Sequence, residues 1–252
     1  TVHFAGEVKD FDPASIPKAY EKNLAPFGQY AFAAAQEALA MSAMEIDPFR
    51  TGIVMGTAMD GVAEIAETQA EYDAASRKKV SPRIVPKILG NMAPCQIAIA
   101  NNIRGPSLTV NTACSSGIDA VNVACMLIES GAADTMVAVG GESIMCNITM
   151  ASLAAAQALS KNNDDPAHAC RPFDKNRDGF VMGEGGGALV LETLEHAKAR
   201  GAKIYAEILG CANNNDAFHI TSPRPGGEGG ALCMELALEQ AGLKPEDVDY
   251  IN

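Results

Sequence analysis

Asn111-Thr112-Ala113-Cys114-Ser115-Ser116-Gly117 is the stretch around which the chain is organised. Before it, Ser107-Leu108-Thr109-Val110 alternates hydroxyl and apolar residues at strand period. After it, Ile118, Val121, Cys125 and Ile128 share one face at helical spacing. Cys114 is therefore expected where a strand turns into a helix, in the helix's first turn. Unpaired backbone N–H groups and the positive end of the helix dipole favour a thiolate there. Small neighbours leave a substrate room to approach. From position alone two readings stay open, a nucleophile and a buried core thiol.

Read in both directions from this stretch, the chain alternates strand and helix patterns. After a strand-like Val2-His3-Phe4-Ala5-Gly6 and an Asp/Pro turn, residues 26–44 have a helical pattern. Ile53-Val54-Met55-Gly56-Thr57 reads as a buried strand, and residues 61–75 and 85–101 as helices. Met136-Val137-Ala138-Val139-Gly140-Gly141 suits a strand covered on both faces, followed by a short helix over 152–159. Residues 162–187 form a polar, Gly-rich segment of the length that usually serves function. Ala188-Leu189-Val190-Leu191-Glu192 reads as a strand and 194–200 as a helix. Residues 203–210 read as a further strand, 231–241 as a helix, and Val248-Asp249-Tyr250-Ile251 as the start of a strand. The class is α/β.

Composition narrows the function. Of 252 residues 48% are hydrophobic and none is Trp, so the core is expected from Ala, Val, Ile, Leu and Met. A net charge of −12 argues against nucleic acid and anionic membrane as partners. No run reaches the ~18 apolar residues of a membrane span, and the first residues carry no signal-peptide core. The seven cysteines are widely spaced, with no CxxC pair or zinc knuckle. They read as free thiols in a reducing compartment, the cytoplasm or an organelle matrix.

Three other motifs carry less. Asp174-Lys175-Asn176-Arg177-Asp178-Gly179 imitates half of an EF-hand loop, but its twelfth position is Gly185 and two cations lie inside it. A turn held by Asx hydrogen bonds is the better reading. Gly183-Glu184-Gly185-Gly186-Gly187 leads into a strand rather than opening a helix, so a dinucleotide loop fails on context. Close backbone packing explains those glycines better. Of His3, His168, His196 and His219, only His219 lies in a candidate functional loop, residues 213–223, and no helical pairing suggests a metal site.

Thr112-Ala113-Cys114-Ser115-Ser116-Gly117, Arg171-Pro172-Phe173-Asp174-Lys175-Asn176-Arg177-Asp178-Gly179-Phe180 and His219-Ile220-Thr221-Ser222-Pro223 together resemble the β-ketoacyl-[acyl-carrier-protein] synthases. The likeness runs through the whole chain and is nearest in type to the synthase II of dissociated fatty-acid synthesis. It implies a thiolase-like layered α-β-α-β-α architecture. Residues 1–200 would be most of the N-terminal half and residues 201–252 the start of the C-terminal half. It also implies a decarboxylating Claisen condensation. An acyl chain passes from its carrier's phosphopantetheine to Cys114, and the carbanion from malonyl-carrier attacks the acyl-cysteine. The Cys114 N–H would be one oxyanion-hole donor.

The resemblance further places Thr221 and Ser222 near the pantetheine arm and Met59 and Leu153 along the acyl pocket. At Leu153 the synthase II pattern usually has Phe. Arg77, Lys78 and Lys79 fall where the family faces an acidic acyl carrier protein, although a solvated charge run reads equally well. The strand at residues 108–110 matches the family's dimer strand, which implies a homodimer. No metal and no cofactor are implied. The family's opening strand precedes a position like Thr1, and its His-Gly-Thr motif follows a segment like Asp249-Tyr250-Ile251-Asn252. None of the four histidines matches a catalytic one, so the stretch as given is expected to be inactive in condensation, and its folding alone is in question. The rivals are a polyketide ketosynthase and a non-catalytic partner subunit. A cysteine hydrolase lacks a candidate histidine.

Overall fold

A four-stranded sheet carries the fold, with β1 (Thr51–Gly56), β2 (Ser107–Val110), β3 (Thr135–Glu142) and β4 (Gly185–Glu192) in the order β2-β1-β3-β4. The structure is a computed structural model that describes residues 1–74 and 79–252. β1 pairs in parallel with β2 and β3, while β4 runs antiparallel to β3. The helices are α1 (Lys18–Glu21), α2 (Pro26–Ser42), α3 (Val62–Ala74), α4 (Ile84–Ile88), α5 (Met92–Asn101), α6 (Ser116–Glu129), α7 (Asn147–Ala155), α8 (Leu194–Ala199) and α9 (Glu228–Ala241). The chain divides into two units, Thr1–Thr193 and Leu194–Asn252. The sheet belongs to the first.

Strand alternation sorts the core into two sides. Ile53, Met55, Val137 and Val139 point to one face and pack with Phe27, Ala31, Phe32, Ala35 and Leu39 of α2 and Ala93 and Ile97 of α5. Val54, Met136 and Ala138 point to the other and meet Ala120 and Ala124 of α6. Covered on both faces, β1 is buried from end to end, which is why it reads as an uninterrupted apolar run. Each fully buried Ile, Val or Met contributes roughly 1.5–3 kcal/mol over exposure. Ala and Gly on α2 bring that helix close to the sheet: a Cβ on Gly186 of β4 would sit 2.7 Å from the Tyr30 backbone. Of the three glycines of β4, Gly186 serves close packing, whereas a Cβ on Gly185 or Gly187 would meet nothing within 4 Å.

Several boundaries differ from the sequence expectation. The helix expected over 85–101 is two, α4 and α5, because Leu89 is extended and Gly90 packs against the Asp60 carboxylate, 2.3 Å from where a Cβ would lie. The helix expected over 152–159 is α7, starting at Asn147, where Thr149 accepts a hydrogen bond from the Cys146 N–H. Leu159 instead forms a bridge with Phe180. The strand-like residues 2–6 contribute only a bridge from Gly6 to Gly183. In the second unit, residues 203–210 and 248–251 pair with no strand among the described residues. Alternating apolar character marks a strand's faces and says nothing about whether a partner strand lies alongside.

Candidate active site

Cys114 is exposed on a 3-10 turn, Ala113–Ser115, that joins β2 to α6. It thus sits one short turn ahead of the position expected inside the helix. The first N–H groups of such a turn lack partners within it. Ala113 has φ 53°, a left-handed conformation that costs an alanine about 1–2 kcal/mol. Side chains hold that turn. The Thr112 N–H donates to Ser116 Oγ at 2.9 Å, and Ser116 Oγ donates to the Ala113 carbonyl at 2.7 Å. The Ser115 hydroxyl reaches Asp119 Oδ2 at 2.9 Å, and the Thr112 hydroxyl donates to the same oxygen. Ser116 and Asp119 are buried.

Position depends on packing below. A Cβ on Gly56, at the end of β1, would lie 2.1 Å from the Ser116 carbonyl oxygen. Only glycine lets the start of α6 descend onto the sheet there. The C-terminal ends of β1, β2 and β3 therefore converge beside the cysteine turn, where open α/β sheets place their sites.

The turn after β1 forms the neighbouring rim. Glu142 Oε2, at the end of β3, accepts from the Ala58 N–H at 2.6 Å and the Met59 N–H at 3.1 Å. The Asn111 side-chain amide donates to the Ala58 carbonyl at 2.9 Å. Met59, which is 43% exposed, is thereby tied to the strand that leads into Cys114. Burial pushes the Glu142 carboxyl above its usual range, with a smaller push from Asp60, against hydrogen bonds from Ala58, Met59 and Ser143 that pull it down. Asp60 is raised by burial too.

The other expected site residues lie apart in the chain. Leu153 is half-buried on α7. In the second unit, Thr221 and Ser222 are exposed, and both their N–H groups donate to His219 Nδ1 at 3.1 Å. His219 shapes that loop. Asp216 accepts the Arg224 N–H at 2.9 Å, and the Arg224 guanidinium lies 5.4 Å from the centre of the Phe218 ring. Lys79 is exposed, whereas Arg77 and Lys78 lie outside the described residues. Asp174 takes the Asn176 N–H at 2.6 Å, the Asx turn expected of that loop.

Sequence reasoning did not single out Asp119, Glu142 or Asn111 as contributors to this region. Asp119 carried a signal, an acidic residue in the first turn of a helix. Glu142 carried a weaker one, a carboxylate closing an apolar strand.

Similarity to known proteins identifies the family and the fold. Residues 2–197 match the family "Beta-ketoacyl synthase, N-terminal domain" and residues 205–252 match "Beta-ketoacyl synthase, C-terminal domain". A 3-oxoacyl-[acyl-carrier-protein] synthase 2 of Rhizobium meliloti is 46% identical over 92% of this chain and 56% of its own length. The protein of the same name from Vibrio cholerae is 43% identical over 100% of this chain and 62% of its own. This chain thus spans about three fifths of the curated relatives it matches. Among solved structures, a beta-ketoacyl synthase from Burkholderia phymatum aligns with a TM-score of 0.87 and 32% identity, covering 98% of this chain and 61% of that one. A type II PKS acyl-carrier protein in complex with its ketosynthase bound to the hexaketide aligns with a TM-score of 0.79 and 31% identity over 90% of this chain and 58% of that one. The mixed sheet with its covering helices is the thiolase-like fold of these ketosynthases. No helix among the described residues is long and apolar enough to cross a membrane.

Proposed function

Because the chain belongs to the β-ketoacyl synthase family, we propose that it carries the acyl-accepting part of a 3-oxoacyl-[acyl-carrier-protein] synthase of fatty-acid elongation. The observation that carries this reading is the exposed Cys114 on a strained turn between β2 and α6. In the proposed reaction the Cys114 sulfur attacks the thioester carbonyl of acyl-phosphopantetheine. The carbonyl carbon's bond to the pantetheine sulfur breaks, and the carrier leaves as its thiol with the proton from Cys114. Malonyl-carrier then loses CO₂, and its carbanion displaces Cys114 to give the 3-oxoacyl-carrier. A covalent thioester splits one hard step into two. Backbone N–H groups of the turn would steady the oxyanion of the first.

The remaining assignments follow the same reading. Met59 and Leu153 would line the acyl channel, while Thr221 and Ser222 would offer hydroxyls to the pantetheine amides. Arg77, Lys78 and Lys79 would face the acidic carrier. A homodimer would form through β2, one of the two outer strands of the sheet, on which Ser107 and Leu108 are exposed. Unpaired edge groups favour pairing with a second copy. The passage between the two ketosynthase halves would fall near Arg200, a reading supported by the gap between the two matched segments. The likeness to the hexaketide-bound ketosynthase supports a second reading, elongation of a polyketide. Leu153, where the synthase II pattern usually has Phe, fits that second reading as well.

The test is incubation of the chain with acyl-carrier protein, followed by mass analysis of the Cys114 peptide. One acyl group on Cys114, absent in Cys114→Ala, is expected. Addition of malonyl-carrier to these residues alone is expected to give no 3-oxoacyl product. An alkylatable Cys114 that never takes an acyl group would overturn the reading in favour of a non-catalytic partner subunit.

A further inference from the structure

We propose that Asp119 is a positioning residue for Cys114, a buried carboxylate that holds the cysteine turn open by taking the hydroxyls on both sides of it. Thr112 and Ser115 bracket Cys114 at two residues before and one after, and both donate to the single oxygen Oδ2 of Asp119. Asp119 is 6% exposed and sits in the first turn of α6. A carboxylate there is favoured by the helix dipole, yet burying it is costly unless its oxygens are occupied. The two hydroxyls occupy one of them.

Electrostatics alone argues against an acid at this place. A negative charge beside a nucleophilic sulfur disfavours the thiolate. Geometry supplies the reason for it instead. Ala113 is held at φ 53°, a conformation that persists only where its surroundings over-determine it. Ser116 fixes one side, through Thr112 N–H and the Ala113 carbonyl. Asp119 fixes the other, through Thr112 and Ser115. Without Asp119 the Thr112 and Ser115 hydroxyls lose a shared anchor, and the turn is free to relax towards an ordinary helical start that withdraws the sulfur.

The two roles of the carboxylate, acceptor and charge, are separable. Asp119→Asn keeps an acceptor oxygen for both hydroxyls and removes the charge. Asp119→Ala removes both. The experiment measures iodoacetamide alkylation of Cys114 in the 252-residue chain by peptide mass analysis across pH, with circular dichroism as the check on folding. Asp119→Ala is expected to slow alkylation by about tenfold across the pH series, through withdrawal of the sulfur as the turn relaxes. Asp119→Asn is expected to match the native rate or exceed it. A folded Asp119→Ala with the native rate overturns the proposal, as does an Asp119→Asn as slow as Asp119→Ala. Where Asp119→Ala fails to fold, Ser115→Ala and Thr112→Val each remove one donor, and native rates in both overturn it. The proposal concerns positioning of the nucleophile and draws its catalytic meaning from the acyl-transfer reading. Alkylation needs no acyl substrate, so failure of that reading leaves the alkylation result intact.

Discussion

Gly56 lies so close beneath the Ser116 carbonyl that a Cβ on it would stand 2.1 Å from that oxygen. One missing methyl at the last residue of β1 thus sets how far the start of α6, and with it the Cys114 turn, can sink onto the sheet. Gly56→Ala is expected to destabilise the chain by about 1–3 kcal/mol, the usual range for overpacking a tight site. It should also slow alkylation of Cys114, since the backbone that must move is the one bearing the turn. Denaturant unfolding together with alkylation kinetics checks both. An unchanged midpoint would mean that the helix yields at no cost.

Cys114 itself is exposed and fills no core space. Cys114→Ala should therefore change stability by no more than about 0.5 kcal/mol while abolishing acylation of the 111–117 peptide. A thermal melt beside a mass measurement separates the two effects. Loss of stability would point to a structural cysteine.

Glu142 joins the end of β3 to the turn after β1, and its two roles are also separable. Glu142→Ala leaves the Ala58 and Met59 N–H groups without their acceptor and is expected to cost about 1–3 kcal/mol. Glu142→Gln retains an acceptor oxygen and should cost less.

The pH dependence of that pair has a definite sign. The folded-state Glu142 carboxyl is raised, chiefly by burial, above the ordinary glutamate value of 4.5. Between the ordinary and the raised value the folded state binds more protons than the unfolded one, so stability falls as pH rises. Native chain should lose stability relative to Glu142→Gln across that window and run parallel to it at higher pH. Urea titrations at a series of pH values measure the difference, and the opposite slope would show that the hydrogen bonds outweigh burial.

The edge strand offers a test of assembly. Leu108 is exposed on β2, and a charge there blunts an edge against pairing. If the homodimer forms through β2, Leu108→Lys should shift the chain to monomer in sedimentation at micromolar concentration, with circular dichroism unchanged. A native dimer that survives the substitution would place the interface elsewhere.

Much of this architecture is written in short-range pattern. The alternation at residues 107–110, the apolar run at 136–141 and the helical spacing after Cys114 each predict an element that the structure contains. Each is a property of near neighbours, because strand and helix periods decide locally which side chains share a face. The turn that bears Cys114 was legible for the same reason. It follows one pattern and precedes the other within seven residues, Asn111 to Gly117.

Contacts between distant segments were not legible. The break between α4 and α5 depends on Gly90 meeting Asp60; the glycine within residues 85–101 marks a place to break, but the carboxylate it meets lies outside that run. Glu142 reaches back 84 positions to the Ala58 N–H. Thr112 and Asp119 are near in sequence, yet their bond exists because Ala113 takes a left-handed conformation that an alanine adopts only when its surroundings compel it. Residues 203–210 carry a strand's pattern but no ladder among the described residues, since a strand needs a partner that its own residues do not encode. Cys114 could be found from its neighbours in the chain. What holds it in place, Gly56 under α6 and Asp119 beside the turn, is a matter of which backbones come within van der Waals reach, and packing in three dimensions alone sets that.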